Sequence, residues 1–309
     1  MWLLCCVTVL AVLAPAASAA PSFGGCPVFP REIAWNQPVA NLPVLPGSGR
    51  MIGRIGANDP LHPDWGSQLW NGGLVGVPFN VIGGSTSAVA TSLRARMSFD
   101  DPAGSDQVPY PIPSRPLIEA AVRNPDRHMI VVDRQACRLY EFYRARQLGA
   151  RRWHVGSAAT WDLRSARLRA DGLTSADAAG LPMFPLMVRH DEVRRGAIDH
   201  ALRIVVPRTR HGWIYPARHT GTFNREPGLP VMGQRLRLKR SINPASFPPQ
   251  ARPVVRALQR YGAIVADEGA SWHLTGAPSR AWDMAQVYAL ERIKGRDFEV
   301  VDTRRLPRP

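Results

Sequence analysis

The stretch of residues 190–219 holds four of the eight histidines in the chain, and it also carries carboxylates, arginines, a tryptophan and a tyrosine. Side chains that exchange protons, bind anions and stack on rings are seldom this crowded unless their chemistry is used. A positioned histidine, carboxylate or tyrosine can give a proton to a reacting group or take one from it. We therefore predict that acid–base chemistry on a bound substrate is centred in this stretch. The alternative is that its aromatic side chains pack into the core and its charged groups form ion pairs at the rim.

Two strands, at residues 201–206 and 212–219, are predicted to present these groups as a hairpin. Because side chains alternate along a strand, His200 shares an apolar face with the leucine, isoleucine and valine of the first strand. His200 is therefore expected to be a hydrogen-bonded core histidine, whereas Asp199 and Arg203 point the other way. One face of the second strand carries Trp213, Tyr215, Ala217 and His219. If the two faces adjoin, the sheet presents an aromatic floor beside a carboxylate, a guanidinium and an imidazole.

Such a surface suits a carbohydrate, because sugar rings stack on aromatic side chains and the charged groups beside them can move protons. Glycoside hydrolysis needs two carboxyl groups about 5–10 Å apart across a cleft. Lyase chemistry needs instead a base and a cation that neutralises a uronate. The spacing along the chain leaves both open. The candidate catalytic residues are therefore His219, Tyr215, Asp199, Glu192 and Asp162, and the candidate substrate-binding residues are Arg203, Arg218 and Trp213.

Other kinds of site find little support in the sequence. The spacing of His190, His200, His211 and His219 matches no metal-binding motif, so no metal and no other cofactor is predicted. The chain has no GxSxG motif, and neither cysteine beyond residue 19 has the surroundings of a nucleophile. Serine or cysteine acyl transfer is therefore not expected.

The chain carries a net charge of +15, and nearly all of its cationic side chains are arginines. Arginine binds carboxylate and phosphate in a bidentate manner, so an acidic polysaccharide or another anionic envelope polymer is the expected partner. A GC-rich genome would explain the preference for arginine over lysine, but not the excess of positive charge. The arginines are scattered and form no basic helix, so nucleic acid is not an expected partner.

Residues 1–19 form an uncharged apolar run that ends in Ala-Ser-Ala, the pattern of a signal peptide and its cleavage site. This run is too short to span a bilayer comfortably, and no later segment is long enough, so stable membrane insertion is not expected. A membrane anchor is the alternative, because the usual positive residue near the N-terminus is missing. The expected product is a secreted protein, periplasmic or extracellular, in which residues 20–309 form one domain.

Cys26 and Cys137 are the two cysteines outside that run. In an oxidising compartment an even pair favours a disulfide. A bridge closing so long a loop is worth about 4–5 kcal/mol in the chain-entropy model. Two free buried thiols are the alternative. We predict the bridge, because a thiol so near the N-terminus of the secreted form would otherwise be exposed to oxidation.

The elements that must position these groups are predicted to be mostly strands. Apolar or alternating runs predict strands at residues 74–82, 92–99, 129–133, 138–143, 263–267, 271–275 and 298–302, with a hairpin from the third to the fourth and another from the fifth to the sixth. Capping and stop signals predict helices at residues 174–180, 190–195, 248–261 and 281–293. Asp177 is interpreted as a capping residue of the first helix. Many strands without a βαβ rhythm predict a mainly β fold, a β-sandwich or jelly-roll-like single domain with helical insertions.

Several motifs resemble those of a family of exported bacterial proteins: CPVFP at residues 26–30, LHPDWG at 61–66, TSADAAGLP at 174–182, IDHALR at 198–203 and YPARH at 215–219. The similarity extends over nearly all of the chain beyond residue 19. The family has no established function, so the resemblance implies no activity and no catalytic residues. It does imply that the chain beyond residue 19 is a single unit.

The sequence therefore predicts a secreted carbohydrate-active enzyme, either a glycoside hydrolase or a polysaccharide lyase, that acts on a polysaccharide expected to be acidic. The alternative is a non-catalytic protein that binds the cell envelope or a polysaccharide through its arginines and tryptophans. The two differ in what the fold must provide, because a binder needs only a flat basic face. An enzyme needs one cleft in which the main candidates converge, namely Asp199, Arg203, Tyr215 and His219.

Overall fold

The structure is a computed structural model that describes residues 20–70, 72–83, 93–119 and 125–309. The predicted signal peptide, residues 1–19, lies outside the described residues. Strands make up most of the regular structure. In chain order they are β1 (Ser22–Phe23), β2 (Cys26–Pro27), β3 (His62–Asp64), β4 (Leu69–Trp70), β5 (Gly73–Leu74), β6 (Phe79–Ile82), β7 (Leu93–Phe99), β8 (Tyr110–Ile112), β9 (Met129–Asp133), β10 (Arg138–Tyr143), β11 (Arg146–Gly149), β12 (Arg152–Val155), β13 (Ser157–Asp162), β14 (Leu202–Val206), β15 (Arg235–Leu238), β16 (Ala263–Glu268), β17 (His273–Thr275) and β18 (Phe298–Val301).

The helices are short and lie between the strands. They are α1 (Ser48–Arg54), α2 (His190–Arg195), α3 (Arg252–Arg260) and α4 (Met284–Tyr288), with 3-10 turns at Ala34–Asn36, Phe184–Leu186, Pro244–Ser246, Ala289–Arg292 and Gly295–Asp297. The fold is therefore mainly β with helical insertions, as the sequence predicts.

Three sheets form the body of the fold. The largest has the strand order β18-β15-β16-β14-β17-β3, the second β13-β10-β9-β6, and the third β11-β12-β7-β8. The pairings are mixed, since β14 runs parallel to β16 and antiparallel to β17. The edge strand β3 pairs in parallel with β17.

The second sheet lies between the other two. One of its faces, which includes Ile130 and Val132, packs into the main core with the largest sheet. The opposite face, which includes Met129 and Val131, packs on the third sheet. Because β9 is covered on both faces, its sequence is continuously apolar rather than alternating. The expected sandwich therefore has three layers.

Most strands predicted from local patterns are present. The predicted hairpin at residues 129–143 is the antiparallel pair of β9 and β10. The strand predicted at residues 201–206 is β14, and the one predicted at 298–302 is β18. Helix α2 ends where predicted, because Gly196 takes a left-handed conformation as its C-cap.

Three predicted elements are wrong. Residues 174–180 form an irregular loop, not a helix. Residues 212–219 form no strand, since Pro216 offers no N–H to a neighbouring strand. The segments predicted at 263–267 and 271–275 are strands β16 and β17, but they do not form a hairpin, because β14 lies between them.

The predicted disulfide is present. It joins Cys26 to Cys137, whose Cα atoms are 5.4 Å apart, and it ties the N-terminal segment to the turn between β9 and β10. Such a bridge suits an oxidising compartment. Within the described residues, no helix combines the length and the apolar character that crossing a membrane requires.

Candidate active site

A cleft with a volume of about 510 Å³ opens beside the largest sheet. That volume lies within the range of small-molecule sites, about 300–1,000 Å³. Six of its lining residues are acidic: Asp100, Asp101, Asp126, Asp177, Asp267 and Glu268. Arg144 is the one arginine among the described lining residues. We call this feature the acidic cleft. Its sign is opposite to that of the chain as a whole.

The floor of this region is one polar face of the largest sheet. Arg203 on β14 lies next to Thr275 on β17, which in turn pairs with Asp64 on β3. A bulge in the pairing of β14 with β16 sets Asp267, rather than Ala266, opposite Val205. Bulges of this kind redirect side chains. Here the bulge turns Asp267 away from the core face and towards Arg203.

Arg203 holds the polar groups of this face together. Its Nη2 atom lies 2.7 Å from Oδ1 of Asp177 and 2.8 Å from Oδ2 of Asp267, and its Nη1 donates to the hydroxyl of Thr275 at 2.9 Å. The Arg203 side chain is 5% exposed and that of Asp177 is 1% exposed, whereas that of Asp267 is 35% exposed. Asp267 is therefore the member of this network that is exposed at the surface of the cleft.

Asp177 is the buried carboxyl of this network. Burial raises the pKa of Asp177 to about 6, against the opposing effect of Arg203. Its Oδ2 atom has no hydrogen-bond partner among the described residues. The sequence prediction of a capping role for Asp177 is wrong, because residues 174–180 are not helical.

The loop of residues 174–180, which we call the Asp177 loop, is fixed by its own hydrogen bonds. The Ser175 hydroxyl donates to the carbonyl of Leu181 at 2.7 Å and accepts from the N–H of Asp177 at 3.0 Å. Gly180 ends the loop with φ = 69°, and a Cβ at that position would lie 2.5 Å from the carbonyl oxygen of Leu173. Only glycine fits there without strain.

Two histidines, His128 and His219, contact backbone carbonyls of the Asp177 loop. His128 contacts the Ala176 carbonyl through Nε2 at 3.1 Å and the Glu119 carboxylate through Nδ1 at 2.8 Å. Burial alone would lower the pKa of His128, but the Glu119 carboxylate raises it overall. Acceptors at both nitrogens and the raised pKa favour the imidazolium form of His128, which leaves no nitrogen for a substrate.

His219 is placed differently. Its Nδ1 lies 2.9 Å from the Ala178 carbonyl, which requires Nδ1 to carry the proton. No described residue hydrogen-bonds to Nε2, and the partly buried ring lines the acidic cleft. His219 is thus the lining imidazole whose second nitrogen can exchange a proton with a bound molecule.

Glu141 on β10 lies behind the cleft, in the main core. Its Oε1 accepts hydrogen bonds from the backbone N–H groups of Met183 at 2.9 Å and Phe184 at 2.8 Å. Burial raises the pKa of Glu141 to about 7 despite these two donors, and the nearby Asp177 adds to the effect.

The structure does not bring the other predicted catalytic residues to the acidic cleft. Asp199 lies at another surface, 3.5 Å from the Tyr261 hydroxyl. The ring of Tyr215 packs under the guanidinium of Arg308. Glu192 is fully buried between Arg189 and His200. Asp162 accepts a hydrogen bond from the Arg164 N–H and lines a different depression.

Two of the predicted binding residues are also engaged elsewhere. The Trp213 indole donates to Asp171 at 3.2 Å, and Arg218 contacts the same carboxylate at 3.2 Å. Arg218 also donates to the Arg169 carbonyl. Of the eight predicted site residues, His219 lines the cleft and Arg203 lies beneath it. Asp267 and Asp177 were missed, although the sequence places Asp267 at the end of an apolar strand.

One further group of side chains could hold a metal ion. Among the described residues, His62, Asp64 and His273 offer ligand atoms that all lie within 4.8 Å of one another. They come from β3 and β17. This group shares the polar face of the largest sheet with Arg203.

Comparison with protein-family models, curated proteins and solved structures finds no match to this chain.

Proposed function

We propose that this protein is a secreted hydrolase that cleaves a neutral or amino-bearing glycan in the acidic cleft. The observation that carries the proposal is the pairing, in one cleft, of a carboxylate oriented by Arg203 with an imidazole whose Nε2 is available. Asp267 is that carboxylate and His219 is that imidazole. Ser157, Thr174 and Tyr143 line the same cleft, and their hydroxyl groups donate to other groups of the protein, so that their oxygen atoms could accept from a polyhydroxylated ligand.

The proposed reaction is a displacement at the anomeric carbon by water. Asp267 takes a proton from the attacking water while the protonated Nε2 of His219 gives a proton to the departing glycosidic oxygen. The bond from the anomeric carbon to water forms as the bond to the glycosidic oxygen breaks. The two proton transfers leave the products neutral. Arg203 is a positioning residue here, because it contacts Asp267 rather than the substrate.

The charges of the cleft favour hydrolysis over elimination from a uronate. A lyase needs a cation to neutralise the substrate carboxylate. The predicted cations are not available for this, since Arg203 is bound by two carboxylates and Arg218 by Asp171 and a carbonyl. A cleft lined by six acidic residues also repels an anionic chain. The acidic polymer expected from the net charge would therefore contact other surfaces.

Export supports the choice of an extracellular substrate. The Cys26–Cys137 bridge needs an oxidising compartment, and residues 1–19 have the pattern of a signal peptide. Glycans are abundant outside the cell, so a secreted hydrolase would meet its substrate there.

The test is a screen of the purified protein on neutral, amino-bearing and uronate glycans, with release of reducing ends as the assay. Unsaturated uronate absorbance is followed in parallel to detect a lyase. Asp267→Asn and His219→Gln should each lower turnover by about 10²–10⁴-fold, the usual contribution of a general acid or base. Asp199→Asn and His211→Gln are the matched controls outside the cleft and should leave turnover unchanged.

Two outcomes would contradict the proposal. One is turnover per folded molecule that does not change in Asp267→Asn and His219→Gln. The other is glycan binding without product from any member of the panel, which would support the non-catalytic alternative. Thermal unfolding of each variant separates lost chemistry from lost structure.

A further inference from the structure

The side chains of His62, Asp64 and His273 project from two paired strands onto the same face. His62 and Asp64 are two residues apart on β3, so both point to one side of the sheet. His273 lies directly opposite His62 in the parallel pairing of β17 with β3. The buried residues between them, Pro63 and Leu274, point to the other side. This arrangement places two imidazoles and a carboxylate around one point.

The distances between the three side chains are close to those needed to bind one ion. The two imidazole rings have their centres 4.2 Å apart and are tilted by 34°. All three ligand atoms lie within 4.8 Å of one another. Zinc bonds of about 2.0–2.2 Å to nitrogen and oxygen require ligand atoms somewhat closer together than this. Side-chain rotations that shift the ligand atoms by about 1 Å bring them close enough to one another, and the strands need not move.

None of the three side chains makes a hydrogen bond shorter than 3.5 Å to another described residue. Glu291 is a charged neighbour, with its Oε1 3.8 Å from Nδ1 of His62, and the charges of Glu119, Arg203 and His128 act on Asp64. All three are partly exposed, so a hydrated ion can reach them. The three side chains share no hydrogen bond with one another, whereas one cation could be bound by all three.

We propose that His62, Asp64 and His273 bind one first-row divalent metal ion, such as Zn²⁺. Two imidazoles and one carboxylate are donors that such ions prefer, whereas Ca²⁺ and Mg²⁺ prefer oxygen ligands alone. Three protein ligands leave at least one position for water or for another ligand. Glu291 is placed to hold the His62 ring through its other nitrogen or to complete the coordination.

The backbone around the site is fixed before any ion binds. Trp272, next to His273, is fully buried with φ = 56°, and its indole donates to the Ile55 carbonyl at 2.8 Å. A left-handed conformation is unfavourable for such a residue and persists because tight packing holds it. The start of β17 is thereby held against β3, with the His62 N–H bonded to the Trp272 carbonyl at 2.9 Å. This inference does not depend on the proposed hydrolysis.

The experiment uses the untagged secreted form of the chain after removal of bound metal with a chelator. Zn²⁺ is titrated by calorimetry, metal content is measured by mass spectrometry, and Co²⁺ serves as a visible spectroscopic probe. We expect one ion per chain and a Co²⁺ spectrum without thiolate charge transfer. His273→Ala and Asp64→Asn should abolish stoichiometric binding, and Glu291→Gln should weaken it by about 10–100-fold.

His154→Ala is the matched control, because His154 contacts the Asp100 carboxylate at 2.9 Å and the Ser98 hydroxyl at 3.0 Å but no second histidine. It should bind Zn²⁺ as the wild type does. Should His273→Ala fail to fold, the nearly isosteric Asp64→Asn decides the matter. The proposal is overturned if the wild-type protein binds no Zn²⁺, or if folded Asp64→Asn binds it with unchanged affinity.

Discussion

Replacing Glu141 by glutamine should make the stability of this protein less dependent on pH. Glu141 is fully buried, and burial raises its pKa from 4.5 to about 7. Each pKa unit corresponds to about 1.36 kcal/mol, so ionising this carboxyl in the folded protein costs about 3 kcal/mol relative to the unfolded chain. Glutamine removes the ionisation. Its amide oxygen, in the place of Oε1, can still accept from Met183 and Phe184, although the Met183 N–H also lies 2.9 Å from Oε2, which the amide NH2 replaces.

The direction of this change in stability with pH follows from the raised pKa of Glu141. Stability contributed by the protonated carboxyl is fully present below pH 4.5 and is lost as the pH rises through about 7. The difference in unfolding free energy, Glu141→Gln minus wild type, should therefore increase by about 3 kcal/mol between those pH values. At neutral pH the variant should be relatively more stable than at acid pH.

Urea unfolding, followed by tryptophan fluorescence from about pH 4 to about pH 8, measures this difference directly. Glu119→Gln is the matched control with the opposite sign. Burial would raise the pKa of Glu119, but its contact with His128 lowers it overall to below 4.5. Its contribution to stability is thus present above that value and lost as the pH falls. A flat difference curve for Glu141→Gln would refute the assignment of Glu141 as a buried carboxyl that resists ionisation.

Three further predictions concern stability and charge. Arg203→Met leaves the buried carboxylate of Asp177 without its cation and should lower the unfolding free energy by about 3–5 kcal/mol. The loss should be smaller below pH 6, where Asp177 is protonated, and a urea titration at two pH values would contradict this if the loss were equal. Replacing both Cys26 and Cys137 by serine should lower the unfolding free energy by about 2–5 kcal/mol, and two free thiols in unreduced wild-type protein, seen by mass spectrometry, would rule the bridge out. Binding to a soluble polyanion through dispersed arginines should weaken steeply with salt, because screening shortens to about 8 Å at physiological ionic strength; binding that salt does not change would show that the charge of +15 is incidental.

Local patterns were enough to predict many elements of this fold. Strands β9, β10, β14 and β18 are recognisable because their side chains are apolar or alternate between apolar and polar. The C-terminal end of α2 is recognisable from its C-cap, Gly196. The disulfide followed from the count of cysteines alone. Each of these features depends on residues close in sequence or on composition.

Strand β15 was missed because its sequence, RLRL, contains two arginines that appear to belong to a surface. Both are buried, and their partners come from distant parts of the chain: backbone carbonyls for Arg235, and the Glu299 carboxylate together with carbonyls for Arg237. Arg235 donates to the carbonyls of Tyr261 and Ala34, and Arg237 to that of Val39. No local sequence pattern indicates hydrogen-bond acceptors that are so distant along the chain.

The candidate site was missed in part for the same reason. Asp177 follows Thr174 and Ser175 in a pattern typical of a helix N-terminus, yet its partner Arg203 is 26 residues further on. Asp267 reaches the same guanidinium from 64 residues away, and only because a bulge turns it to that face. The crowding of histidines pointed to His219, and the alternation of side chains along β14 correctly assigned His200 to the core, where it is fully buried and hydrogen-bonded.

The polar face of the largest sheet explains why a chain of charge +15 has an acidic cleft. Buried carboxylates need cations, and Arg203 meets that need for Asp177 and Asp267 together. One guanidinium shared by two carboxylates leaves a net negative charge at the cleft, whatever the rest of the surface carries. Asp64 lies further along the same face, where two histidines offer ligand atoms within 4.8 Å of its carboxylate and Arg203 also acts on its charge. A bound divalent cation would neutralise the charge of Asp64 on β3 as Arg203 on β14 neutralises that of Asp177, so the carboxylates of one sheet face would have two kinds of cationic partner.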